Sequence, residues 1–101
     1  MFQLVLQFRA DNIGDYDELR VVEEQLACRL DRSATVDGHD FGSGEFNIFI
    51  LTADPEGTFR EVQDVCRSTQ TTREMSAAYR SLSGDEYFIL WPPNSTEFRV
   101  S

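Results

Sequence analysis

The stretch FQLVLQF at positions 2–8 alternates strictly, with Phe2, Leu4, Leu6 and Phe8 on one side and Gln3, Val5 and Gln7 on the other. Successive side chains of an extended chain point to opposite faces, so this is a half-buried strand. From Asp15 the period changes. Leu19, Val22, Leu26 and Leu30 recur at three- and four-residue steps, with Glu18, Glu23, Glu24 and Arg29 between them. That spacing predicts an amphipathic helix of about four turns, acidic near its start and basic at Arg29 and Arg32, as the helix dipole favours.

Further along, ATVDGHDF and EFNIFILT read as two strands around Gly42-Ser43-Gly44. The apolar run 46–51 marks an interior strand covered on both faces. A second helix opens with Asp54 as N-cap and Pro55 at its first position. Phe59, Val62, Val65 and Cys66 form its stripe, ending near Ser68. Residues 71–83 allow two readings. Thr71-Thr72-Arg73-Glu74 has capping-box spacing for a short helix ended by Gly84. Alternatively AAYRSL and EYFILW form a hairpin through Ser83-Gly84-Asp85, which the shortage of apolar residues in 76–83 favours. YFILW (87–91) is a strand stopped by Pro92-Pro93, and the polar tail 94–101 is an edge piece or frayed.

Strand, helix, strand, strand, helix, strand is the split-βαβ order. Over nearly its whole length the chain resembles the ferredoxin-like superfold in element order and period. The resemblance implies an α+β fold: an antiparallel sheet with two helices on one face, with room for an extra C-terminal hairpin strand. It implies no activity, because this superfold hosts many unrelated functions.

With 101 residues, 41% of them hydrophobic, the chain is expected to form one domain, 1–101, with a core that needs no metal or disulfide. No apolar run is long enough to span a membrane, and the N-terminus lacks signal-peptide character, so a cytoplasmic protein is expected. Eighteen acidic against nine basic residues give a net charge of −9. Such a field repels phosphate backbones and anionic lipid, leaving a basic protein as the favoured partner. FGSGEFNIF faintly resembles a strand of RNA-recognition motifs, but the motif's basic residue is absent and Glu45 sits in its middle, so no nucleic acid and no membrane partner is expected.

Asp37, His39, Asp40 and Glu45 surround three glycines. On a strand Asp37 and His39 would share a face, with Glu45 reaching from across the hairpin. A metal site needs more ligands at known spacing, so the expectation is a turn, with Gly42 and Gly44 supplying positive φ, and no metal or cofactor. His39, the one histidine, is the weak candidate for a catalytic base. Cys28 and Cys66 are expected as two separate, buried, reduced thiols on antiparallel helices.

If Phe2, Leu4, Leu6 and Phe8 face the helices, the other sheet face offers Val5, one alternate of 46–51 (Phe49 and Leu51, or Phe46, Ile48 and Ile50) and Phe88 or Trp91. Exposed apolar surface of this kind marks interaction sites. The expected binding residues are therefore Val5, Phe49, Leu51, Phe88 and Trp91, rimmed by Asp37, His39 and Glu45. The chain reads as a small acidic, non-enzymatic protein-binding module, similar in general character to immunity and inhibitor proteins. The alternatives are a homodimeric ligand-binding or regulatory domain and a cofactor-independent dimeric enzyme using His39.

Overall fold

In the computed structural model, which describes residues 1–30, 34–69 and 73–100, β1 (Phe2–Arg9) occupies the centre of a five-stranded antiparallel sheet. β3 (Glu45–Thr52) pairs with it on one side and β4 (Met75–Ser81) on the other. β2 (Ala34–Gly42) and β5 (Phe88–Trp91) form the two edges, giving the order β2-β3-β1-β4-β5. The hairpin reading of the C-terminal region therefore holds, with β4 and β5 antiparallel. Thr71 and Thr72 of the supposed capping box lie outside the described residues, as does Arg32.

α1 (Ile13–Arg29) begins two residues earlier than its acidic run suggests. The side chain of Asn12 caps it, accepting from the Asp15 amide at 2.9 Å. α2 (Pro55–Ser68) starts as its sequence predicts: Asp54 accepts from the Gly57 amide at 3.1 Å and Pro55 opens the first turn. Both helices pack on the face carrying Leu4, Leu6 and Phe8 of β1 and Phe46, Ile48 and Ile50 of β3, all essentially inaccessible. Leu19, Val22, Leu26 and Leu30 of α1 and Phe59, Val62 and Val65 of α2 complete this core. Each such side chain contributes on the order of 1.5–3 kcal/mol by leaving water.

Three local features differ from expectation. The two-residue turn between β2 and β3 takes positive φ at Ser43 (54°) and Gly44 (76°), the pair of left-handed positions that a tight hairpin turn requires, whereas Gly42 belongs to the strand. Glu23, expected among the solvated residues of α1, is buried. Cys28 is exposed, because two residues beyond Leu26 the helix has rotated about 200° away from its apolar stripe. Both thiols are free, and Cys66 is half-buried beside the core.

Candidate binding surfaces

The polar group in the β2–β3 hairpin is dispersed by a bulge. The β2 register shifts between Val36 and Gly38, where Gly38 adopts φ 122°. Asp37 occupies the extra position and is exposed, as is Asp40. His39 stands opposite Ile48, on the helix side of the sheet. Glu45 pairs with Arg9, on the other side, where Gln7 Nε2 reaches its Oε1 at 3.3 Å. The four residues do not converge, and among the described residues no group of three or more His, Cys, Asp or Glu is arranged to hold a metal ion.

His39 is instead engaged by α1. Its Nδ1 lies 2.9 Å from Glu23 Oε1 and its Nε2 lies 3.1 Å from the Tyr16 hydroxyl. Its ring stacks on Phe46 with centroids 4.8 Å apart. Glu23 is also bonded by Arg20, so the buried carboxylate is doubly paired. Tyr16 and Glu23 are seven residues apart, two helical turns, and thus share a face of α1. That spacing was the sequence signal for their joint contact with one strand residue.

Next to this cluster, Arg73 ties the approach to β4 onto the start of α1, pairing with Asp15 and with Glu18 Oε2 at 2.9 Å. The Asp11 amide donates to Asp15 at 2.9 Å, and this bond, with Arg73 second, holds the Asp15 carboxyl below its ordinary range.

The sheet face opposite the helices carries Val5, Ala78, Phe49, Leu51 and Ile89. It is not bare. Val5 and Ala78 are fully buried although no helix lies over them. The polar tail after β5 returns across this face. Gln7 Nε2 donates to the Arg99 carbonyl at 2.6 Å, and Phe98 packs on Tyr87 with ring centroids 5.2 Å apart. The expectation of an edge piece or frayed tail is thereby corrected. Phe98 and Val100, alternate apolar residues in a polar stretch, were its sequence signal.

Phe88 and Trp91 lie elsewhere than expected. Three residues apart on a regular strand, they would face opposite ways. A register shift opposite Ala77 and Ala78 brings both to the helix side, Phe88 against Tyr79 and Trp91 against Ala77. There Tyr79 stacks on Phe88 at 5.4 Å and meets Phe2 edge-to-face at 5.5 Å, and Trp91 approaches Phe59 of α2 at 6.5 Å. Beyond α2 this forms an aromatic shelf in which Phe88 is 50% and Trp91 40% exposed. Leu82 and Met1, also exposed, flank it and are joined by a Leu82 N–H to Met1 carbonyl bond of 3.3 Å. Exposed acidic residues lie on the adjoining elements, Glu56, Glu61 and Asp64 on α2 and Glu86 before β5, whereas Asp85 lines the groove on the opposite face.

A cleft of about 290 Å³ continues the shelf toward the end of α2, between Phe8, Cys66, Met75 and Trp91. Burial pushes the Cys66 thiol up from its ordinary value.

No protein-family model and no curated protein matches this chain. Among solved structures, the de novo designed protein Ferredog-Diesel superposes with a TM-score of 0.51 at 12% sequence identity, over 79% of this chain and 83% of that one. This likeness establishes a ferredoxin-like α+β fold. Among the described residues no helix is long and apolar enough to cross a membrane.

Proposed function

We propose that this chain is a non-catalytic binding domain for a basic protein partner, in the manner of small acidic immunity and inhibitor proteins. The observation that carries the reading is the aromatic shelf. Phe88 and Trp91 are large, half-exposed and fixed from behind by Tyr79 and Phe59. Rigid aromatic anchors lose little conformational freedom on binding and dominate protein interfaces. The carboxylates of α2 and of the chain as a whole, at net charge −9, draw a basic partner in. His39 contributes through the fold in this reading, since both its ring nitrogens are already engaged.

The test is affinity capture from the native cell extract with two baits, the wild-type chain and a Phe88→Ser/Trp91→Ser variant. A basic protein held by the wild type, released by salt of about 0.5 M and missing from the variant is the expected result. Identical recoveries from both baits would overturn the proposal.

A further inference from the structure

The β2 edge of the sheet is open. Among the described residues β2 pairs with β3 alone, and no backbone hydrogen bond from elsewhere reaches residues 35–42. Gly42 and Glu45 flank the two-residue turn and form the hydrogen-bonded pair that closes such a hairpin. Alternation along the strand then points the N–H and C=O groups of Phe41 and His39 outward, away from β3. The space beside the strand is free, since a side chain added at Gly42 or Gly38 would meet nothing within 4 Å. Outward-pointing groups of this kind are a template for one more strand.

The charges along the edge decide what that strand can be. Asp37 and Asp40 are exposed on β2 itself. Tyr16 and Glu23 of α1 face His39, and Asp17 and Glu24, next round the helix from these two and exposed, continue the negative charge on this side of α1. Arg20 lies among them and is paired with both Glu23 and Glu24. Arg9, two strands further in, pairs with Asp11. Five carboxylates, Asp17, Glu23, Glu24, Asp37 and Asp40, thus stand against one arginine. Those charges turn away a second copy: antiparallel pairing of two β2 edges centred on Asp40 would set Asp37 and Asp40 of one chain against those of the other. A basic strand meets the opposite situation.

We propose that the β2 edge takes an extended basic peptide segment as a sixth strand. Main-chain bonds to His39 and Phe41 hold the segment, and its cationic side chains reach Asp37 and Asp40. Alternate apolar side chains of the segment meet Phe41, which is 38% exposed and backed by Tyr16 with ring centroids 5.1 Å apart. The bulge at Asp37 and Gly38 sets the length, because the regular run available for pairing is His39–Gly42. Only a short segment is therefore needed. This edge and the aromatic shelf lie at opposite ends of the five-stranded sheet, so the two docking events are independent and can fail separately.

Amide hydrogen exchange followed by NMR on the full-length chain tests the proposal. The probe is a capped peptide of about eight residues alternating arginine and valine, added to about 1 mM. Exchange at the His39 and Phe41 amides is expected to slow by at least about tenfold, in the wild type and equally in the Phe88→Ser/Trp91→Ser variant. The same peptide N-methylated throughout keeps its charges but cannot complete the ladder, and it should give no protection. Asp37→Asn/Asp40→Asn is expected to weaken binding at least about threefold. Absence of protection at His39 and Phe41, equal binding of the N-methylated peptide, or affinity unchanged in Asp37→Asn/Asp40→Asn would each overturn it. So would protection at these two amides that grows with protein concentration without peptide, which would seat a second copy on the edge.

Discussion

Glu23 of α1 and His39 of β2 meet through Oε1 and Nδ1 at 2.9 Å, and this buried contact fastens the edge strand to the helix above it. A ring protonated on Nδ1 donates to Glu23 while its Nε2 accepts from the Tyr16 hydroxyl. Glu23→Ala leaves a ring N–H without its acceptor and Arg20 with Glu24 alone. A loss of about 1–3 kcal/mol in urea unfolding is expected. Glu23→Gln keeps an acceptor and loses less, and a smaller effect of Ala than of Gln would contradict this account.

Asp15 sets a pH dependence at the other end of α1. Its folded carboxyl titrates below the ordinary 3.8, first through the Asp11 amide and then through Arg73. A depressed carboxyl contributes stability above its unfolded value, and that contribution disappears as pH falls through the folded one. Denaturation midpoints of the wild type should therefore drop below about pH 4 more steeply than those of Asp15→Asn. Parallel curves would assign the acid response to other groups.

The two thiols should separate chemically. Cys28 is exposed, whereas Cys66 is half-buried with its thiol pushed up by burial. Since the thiolate is the reactive form, a maleimide at neutral pH should modify Cys28 first and Cys66 only slowly. Intact mass is expected to show one adduct on the native chain and two in denaturant. Two adducts forming at equal rates under native conditions would refute the placement.

Gly38 and Gly42, four residues apart on β2, differ in what they require. A side chain at either would meet nothing within 4 Å, but Gly38 has φ 122°. Gly38→Ala is thus expected to cost about 1–3 kcal/mol in backbone strain alone. Gly42→Ala should stay within about 0.5 kcal/mol of the wild type. Thermal unfolding of the two variants side by side is sufficient, and similar midpoints would dissolve the bulge as the cause.

Because Phe88 and Trp91 are half in water, replacing them should perturb binding more than folding. Phe88→Ser is expected to lower stability by less than about 1.5 kcal/mol, well under the cost of truncating a core phenylalanine. Circular dichroism with chemical denaturation checks this, and a larger loss would place Phe88 in the core.

The elements that carry a period were legible in the sequence. FQLVLQF, the Leu19–Leu30 stripe, the Asp54-Pro55 helix start and the apolar 46–51 run became β1, α1, α2 and β3. What periodicity could not disclose were its interruptions. The extra residue at Asp37 and the register shift beside Ala77 each break the alternation of a strand. The first separates His39 from its acidic neighbours, and the second brings Phe88 and Trp91 to one side. Both depend on which partner residue stands opposite, which no single strand encodes. The seating of the tail was hidden for a related reason: it rests on a Gln7 bond to the Arg99 carbonyl and a Phe98–Tyr87 ring contact, not on a repeating pattern.

The central position of β1 also governs the timing of folding. Phe2 pairs with Thr52 on one side and with Ser81 on the other. The most apolar early segment of the chain therefore has neither neighbour when it is first made, and closing those long loops precedes any gain from pairing. Folding should be slow for a chain this short. FQLVLQF is unpaired until residue 52 has been synthesised and keeps one open edge until residue 81, exposed to wrong neighbours, which makes chaperone supply during synthesis a determinant of yield.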